Sequence, residues 1–313
     1  MKVLVTGGEG FIGRYIHRQL NLDGHDTATL DIVGSKGRNH YVTDATRYPD
    51  LKRVLELSEP DVLVHLAALT GSNGKGGGAE SVKQTYDYLR VNVNAALNVY
   101  EACRRLDIAR VLGMGSFSPY GHAPCPINEE TPFHPNNPYG SSKAFVEEIA
   151  KLYSDIYGIK TVMFRPPLVS GEGQKEMNVL REFVSAALND KPIVILGDGK
   201  HIREFIHPID VATAFSLGLN HLRTMSATYD VFVLGNKPIS VIDLANLVVK
   251  KVGKGSIEFR EANTQAFDQY SDHRKIVSVL GWSPRISVEE IVSRVISDAI
   301  SSQQISPLPN PME

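Results

Sequence analysis

The sequence predicts an α/β fold: a doubly wound parallel sheet in residues 1–170, followed by a smaller α/β lobe in 171–313. Two patterns predict it, and a third marks the boundary. Short apolar runs alternate with segments of helical period through the first half, which is the pattern of a parallel sheet covered on both faces. A glycine-rich loop, Thr6-Gly7-Gly8-Glu9-Gly10-Phe11-Ile12-Gly13, joins the first such run to the first helix. Near Gly171-Glu172-Gly173 the elements shorten and the regular alternation is lost.

Taken in order, strands are expected at 2–5, 28–32, 61–68, Arg110–Met114 and Lys160–Arg165. Each is short and mostly apolar or β-branched, as a buried strand should be. The first helix carries Phe11, Ile12, Tyr15, Ile16 and Leu20 on one side. A later one sets Val93, Ala96, Leu97, Tyr100 and Cys103 on an apolar stripe, and the helix after Pro138 does the same with Phe145, Ile149, Leu152, Tyr153 and Ile156. In the lobe, helices are expected near 176–189, 241–251 and 288–300, and strands at Ile193–Leu196, 229–234 and 256–259. Some lobe segments are expected to return to the sheet, and the lobe itself should cover the carboxyl edge where open α/β folds bind ligands. Residues 71–78 hold five glycines directly after the third strand, a composition that suits a flap over that edge or a plain surface connection. The tail from Ser306 carries three prolines and is expected to be loosely ordered.

Gly7, Gly10 and Gly13 are spaced to let the chain turn tightly out of a strand, bring backbone against a pyrophosphate and pack the next helix close to the sheet. The anion would then rest on free amides at the helix N-terminus. Asp31 ends the second strand about twenty residues further on, where a carboxylate accepts hydrogen bonds from the adenosine ribose and repels a 2′-phosphate. NAD is therefore expected rather than NADP, with Arg38 the nearby residue that argues the other way. Strand, turn, helix and acid in this order read as a Rossmann dinucleotide site.

Composition argues against several other classes. A formal net charge of -2 over 313 residues gives no long-range attraction to nucleic acid or to an anionic membrane. The two cysteines, Cys103 on a helix stripe and Cys125 in a proline-rich loop, suggest neither a disulfide framework nor a zinc site and fit a reducing, cytoplasmic setting. The apolar stretch at the N-terminus is too short for a signal-sequence core or a membrane span. His65, His122, His134 and His201 lack metal-ligand spacing, so no metal is expected. His65 reads as a strand-end side chain satisfied by backbone.

Tyr139 and Lys143 stand one helical turn apart behind Pro138, so both project from one face. A tyrosine whose free pKa is about 10 is a poor base at neutral pH. A neighbouring ammonium and an oxidised nicotinamide would both favour its phenolate. Tyr139 would then exchange a proton with a hydroxyl whose carbon loses or gains a hydride. Such a pair is commonplace on helix surfaces, and Ser116 is what lifts it above the ordinary. Ser116 directly follows the strand Arg110–Met114, where a hydroxyl reaches the same edge and hydrogen-bonds a reacting carbonyl oxygen.

With these residues in place the chain resembles the extended short-chain dehydrogenase/reductases, and within them the NAD-dependent epimerase/dehydratase family, most closely its sugar-nucleotide 4-epimerases. The likeness runs through the loop 6–13, Asp31, Asp44, His65-Leu66-Ala67-Ala68, Val91-Asn92-Val93, Ser116 with Tyr120-Gly121, and Tyr139 with Lys143. It continues through Arg165-Pro166, Gly197-Asp198-Gly199, Arg203-Glu204-Phe205-Ile206-His207, Asp210 and Leu280-Gly281-Trp282-Ser283-Pro284. The resemblance implies that Tyr139 is the catalytic acid/base, that Lys143 holds the nicotinamide ribose and lowers the tyrosine's pKa, and that Ser116 orients the substrate oxygen. It implies an NAD site lined by Gly7, Gly10, Phe11, Ile12, Gly13, Asp31, Asp44, Leu66, Ala67, Ala68, Asn92, Tyr139, Lys143 and Pro166, with Asp44 at the adenine. Ser118, Asn178 and Arg203 match substrate positions, the arginine fork suiting a diphosphate. A homodimer joined through helices 93–104 and 145–157 is implied as well.

Departures from the family pattern narrow the reaction. Many 4-epimerases carry an asparagine where this chain has Arg165-Pro166-Pro167-Leu168-Val169, and an arginine where it has Ala262, before Asp272 and Lys275; Arg260 stands close enough in sequence to replace the latter. Related dehydratases and decarboxylases place an acid just after the catalytic hydroxyl, where Phe117 and Ser118 stand, so elimination of water is not expected. The cysteine that GDP-fucose synthase-like enzymes use near Ser118 is absent. The expected function is NAD-dependent epimerisation of a nucleotide sugar through a transient 4-keto sugar. The alternatives are a ketoreductase or dehydrogenase that makes net product with the same residues, and a non-catalytic dinucleotide-sensing regulator, which the full set Ser116, Tyr139 and Lys143 argues against.

Overall fold

The computed structural model describes residues 1–34, 39–70, 82–262 and 266–305. Arg38, the glycine-rich 71–78 segment and the tail from Ser306 therefore lie outside the described residues. Among those described, seven parallel strands form one sheet: β1 (Lys2–Thr6), β2 (Asp26–Asp31), β3 (His40–Val42), β4 (Val62–His65), β5 (Arg110–Met114), β6 (Lys160–Arg165) and a late return strand, Tyr229–Val233. The remaining strands pair two by two: β7 (Leu168–Val169) with β10 (Phe205–Ile206), β8 (Ile193–Leu196) with β13 (Ile257–Arg260), and β9 (Ile202–Arg203) with β12 (Ile239–Ser240). The return strand is thus β11.

The sheet order is β11-β6-β5-β4-β1-β2-β3. The chain steps outward from β1 to β3, comes back to the other side of β1 at β4, and steps outward again. That reversal leaves a crevice at the carboxyl ends of β1 and β4, which is where open α/β sheets bind their ligands.

Both faces of the sheet are covered, so β1, β4 and β6 are buried almost throughout rather than alternating. On one face Val3, Val5, Val62, Val64 and Phe164 meet α1 (Phe11–Leu22), α7 (Pro208–Thr224) and Trp282. On the other, Leu4, Leu63, Val111 and Met163 meet α2 (Tyr48–Ser58), α4 (Asn94–Arg105) and α5 (Pro138–Tyr157). Between them in the chain lies α3 (Val82–Tyr88), which leads through the π-helical turn Leu89–Val93 into α4. A third core gathers α6 (Val179–Leu188), α8 (Val241–Val252) and α10 (Val288–Ile305) around Ile193 and Ile195 of β8. The short α9 (Arg274–Leu280) lies against β11.

Three elements differ from the sequence reading. The strand expected at 229–234 in the lobe is β11, the sheet's outer strand, with Val231 opposite Met163 and Phe232 buried beside Phe164. The strand expected at 61–68 stops at His65, because the Leu66 and Ala67 amides turn to the Thr6 hydroxyl. The helix expected from 176 begins at Val179, since Asn178 caps it. The 17-residue α7 had no counterpart in the sequence reading. It is buried on several sides, which blurs the apolar period that marks a surface helix. Its first turn carries Asp210, whose carboxylate accepts the Arg285 and Ile286 amides while its carbonyl accepts Trp282 Nε1, and so pins the Leu280-to-Pro284 motif to the sheet.

Glu204 pins a neighbouring segment. Buried between β9 and β10, it accepts the Asn236 amide at 2.7 Å, the Ser271 amide at 2.9 Å and the Ser271 hydroxyl at 2.8 Å. Burial lifts its pKa from 4.5 to about 7 against the pull of those donors. The folded chain therefore keeps a proton there that the unfolded chain releases, so this group's stabilisation is full at low pH and declines as pH rises from 4.5 to about 7. Urea midpoints across that interval should fall with a steeper slope in the wild type than in Glu204→Gln; parallel slopes would contradict the assignment.

Candidate active site

Gly7 leaves β1 with a φ of 71°, donates its N–H to the Leu30 carbonyl at 2.7 Å, and lies so close to the chain after β4 that a Cβ would come within 2.7 Å of the Ala67 nitrogen. At Gly13 a Cβ would meet the Gly7 carbonyl oxygen at 2.1 Å, so only glycine lets α1 approach the loop. The N-cap of α1 is Gly10, which brings no side chain to the amides of Phe11, Ile12 and Gly13, and no acid lies in that turn. A helix that begins this way offers its first amides to an anion. The cradle fits a dinucleotide pyrophosphate.

Asp31 stands beside this loop at the end of β2. Its Oδ2 accepts the Glu9 amide at 3.0 Å and its Oδ1 the Val33 amide at 3.4 Å. Asp44 follows β3, and its Oδ1 accepts the Thr46 amide at 2.9 Å. Across the crevice, Leu66, Ala67 and Ala68 follow β4, and buried Pro166 follows β6. His65 is satisfied not by backbone, as the sequence suggested, but by the Thr6 hydroxyl, 2.9 Å from Nδ1. Burial, helped by the charge of Lys143, drives its pKa down to about 3. It is a neutral strut.

Asn92 sits on the π-helical turn, a deformation common at functional sites. Its Nδ2 donates to the Leu69 carbonyl and to Ser142 Oγ, both at 3.0 Å, and its Oδ1 accepts the Leu69 amide at 2.7 Å. Ser142 in turn donates to the Tyr139 carbonyl at 2.8 Å. This side chain, expected to line the cofactor, ties the chain leaving β4 to the first turn of α5.

That first turn carries the candidate chemistry. Asn137 caps it through the Gly140 amide at 2.7 Å, and Pro138 supplies the first helical position. A Cβ at Gly140 would lie 2.7 Å from the Ser118 carbonyl, so glycine allows the helix to start against the tight turn Ser118–Tyr120. This approach brings the Ser116 hydroxyl close enough to the Tyr139 phenol to act on its pKa. Ser116 Oγ also accepts the Ser118 amide at 3.1 Å. The Tyr88 ring packs edge-on to Tyr139 with centroids 5.7 Å apart, a neighbour the sequence reading missed although it closes the segment just before Val91-Asn92-Val93.

Lys143 lies one turn along α5, buried, with its amine donating to the Met114 carbonyl at the end of β5. Burial pushes its pKa down to about 8, with Glu147 opposing. The same burial raises the Tyr139 phenol above its ordinary value, with Ser116 pulling it back and Tyr88 adding to the rise. Lys143 is not among the groups that shift the phenol in this arrangement.

Below Lys143, Glu147 forms a buried pair with Arg165 of β6, with contacts of 2.7 to 3.2 Å. Arg165 also donates to Tyr120 Oη at 2.7 Å and to the Glu129 carbonyl at 3.1 Å, and lies over the Phe133 ring. One ion pair thus holds the Lys143 helix, the strand β6 and the loop that follows Ser116.

The expected substrate contacts are less free. Asn178 Oδ1 accepts the Arg181 amide at 3.1 Å as the cap of α6, and its Nδ2 donates to Ser170 Oγ at 2.6 Å. Arg203 donates to the Ile202 and Phe267 carbonyls and stacks on the Phe267 ring at 4.9 Å. Ser118 Oγ lies 3.3 Å from Asn137 Nδ2 and 3.4 Å from its Oδ1. Arg260 is exposed at the end of β13, paired with Glu258 at 2.8 Å.

An anion cradle, an acid at the end of β2 and a serine, tyrosine and lysine at one sheet edge define a dinucleotide-dependent enzyme. The NAD dependent epimerase/dehydratase family matches residues 3–235, and the chain belongs to that family; its cofactor is NAD. The chain is 28% identical over 330 residues to a UDP-glucose 4-epimerase of Lactobacillus helveticus, covering 96% of each. It is 25% identical over 319 residues to a UDP-glucuronate 4-epimerase of Thermodesulfobacterium geofontis, covering 94% of each. Among solved structures it is similar to MoeE5 in complex with UDP-glucuronic acid and NAD, at a TM-score of 0.83 and 26% identity, over 96% of this chain and all of the other. No helix among the described residues is long and apolar enough to cross a membrane.

Proposed function

We propose that the protein interconverts the C4 epimers of a UDP-sugar through a transient 4-keto sugar, with Tyr139 as acid/base. The observation that carries this reading is the grouping of the Ser116 hydroxyl near the Tyr139 phenol with buried Lys143, whose amine meets the Met114 carbonyl at the carboxyl end of β5. Bound NAD supplies the oxidant and reductant. The amides of Phe11, Ile12 and Gly13 would hold its pyrophosphate, Asp31 its adenosine ribose, and Lys143 its nicotinamide ribose. Tyr139 takes the proton of the 4-hydroxyl, keeps it while the ketone turns, and returns it to that oxygen as C4 is reduced on its other face. Ser116 holds that oxygen throughout. The reaction needs no external oxidant. The relatives named as UDP-glucose and UDP-glucuronate 4-epimerases support the nucleotide and the carbon.

Purified protein should carry NAD by mass spectrometry and, without added nucleotide, equilibrate UDP-glucose, UDP-GlcNAc or UDP-glucuronate with its 4-epimer. Formation of NADH in step with product would contradict epimerisation and assign a dehydrogenase instead. dTDP- and GDP-sugars, turned over faster than UDP-sugars, would contradict the nucleotide.

The active form we propose is a homodimer. Along α4 and α5, Leu97, Phe145, Leu152 and Ile156 are 44%, 54%, 52% and 61% exposed, so the stripe read from the sequence is only partly covered by the chain's own core. A second copy would bury it. Phe145→Asp with Ile156→Asp should halve the mass in sedimentation equilibrium; a wild-type monomer would contradict the seam.

A further inference from the structure

We propose that Glu9 is a second carboxylate, acting with Asp31, that sets the choice of NAD over NADP; this rests on the reading of the glycine loop and Asp31 as the adenosine-ribose site. The Glu9 amide donates to Asp31 Oδ2 at 3.0 Å, so its backbone touches the ribose-facing acid. Its side chain folds over β2: Oε1 accepts the Thr29 hydroxyl at 3.3 Å and stands 3.6 Å from His40 Nδ1, with His40 itself 2.7 Å from Thr29 Oγ1. The loop presses close enough here that a Cβ at Gly8 would meet Thr29 Cγ2 at 2.4 Å. Thr29 and Asp31 are two residues apart on one strand face, which separates their side chains by about 7 Å. Glu9 therefore holds its charge within about one Debye length of Asp31.

The two acids do different work. Asp31 can accept a ribose hydroxyl as well as repel a 2′-phosphate, so its loss would weaken NAD binding itself. Glu9 is tied to Thr29, and its effect is repulsion of a 2′-phosphate carrying about two negative charges. Only NADP carries that group.

The test is competition on the holoenzyme: incubation with mixed NAD+ and NADP+, followed by native mass spectrometry of the bound nucleotide. Glu9→Gln keeps an oxygen for Thr29 and removes the charge, and should shift the bound ratio toward NADP by about tenfold, as expected for one lost like-charge contact. Glu9→Lys should shift it further, and salt should shrink the shift. An unchanged ratio in both variants, with melting curves like the wild type, overturns the proposal. So does a loss of both nucleotides in equal measure. A wild type that binds no NAD would instead sink the cofactor reading beneath it.

Discussion

Tyr139→Phe is expected to lower kcat by about 100- to 10,000-fold while the protein keeps its NAD and its melting temperature. The substitution removes one oxygen, which lies near the Ser116 hydroxyl. The ring that packs edge-on to Tyr88 remains. Nothing in the fold depends on the lost atom, so a change confined to kcat would isolate its part in proton transfer. Steady-state rates on the UDP-sugar found to turn over provide the check. Turnover at the wild-type rate would remove Tyr139 from the chemistry.

The largest loss of stability should follow Glu147→Gln. Glu147 and Arg165 are 3% and 9% exposed, and the change leaves a guanidinium buried without its counter-charge. Removing one partner of a buried pair costs about 3–5 kcal/mol, whereas replacing both by apolar groups is often close to neutral. Urea unfolding should therefore rank Glu147→Gln well below the double variant Glu147→Met with Arg165→Met. Activity should fall as well, since a Cβ at Gly115 would lie 2.4 Å from Glu147 Oε1: the pair supports the strand end from which Ser116 projects. A single variant as stable as the wild type would contradict the ion pair's place in the fold.

The cofactor half of the fold was legible because its signals are local. The loop 6–13 has a glycine wherever backbone must touch backbone, and β4 and β6 announce burial by the apolar runs Val62-Leu63-Val64 and Val162-Met163-Phe164. What was not legible depends on partners far along the chain. Glu147 looks like an ordinary helix-surface acid until Arg165 on β6 is seen against it. Five residues at Tyr229–Val233 read the same whether they join the lobe or return to β6. Asn178 carried two meanings, substrate contact and helix cap, and a motif match alone could not separate them; the cap is what the backbone uses. Tyr88 and the contacts of Glu9 likewise depend on how separate elements pack together.

A UDP-sugar deuterated at C4 tests the central claim most directly. If Tyr139 moves only the hydroxyl proton while the hydride stays within the site, the epimerised product should retain its deuterium at C4 and form more slowly than the unlabelled one. Exchange of that deuterium with solvent water during turnover would contradict the account.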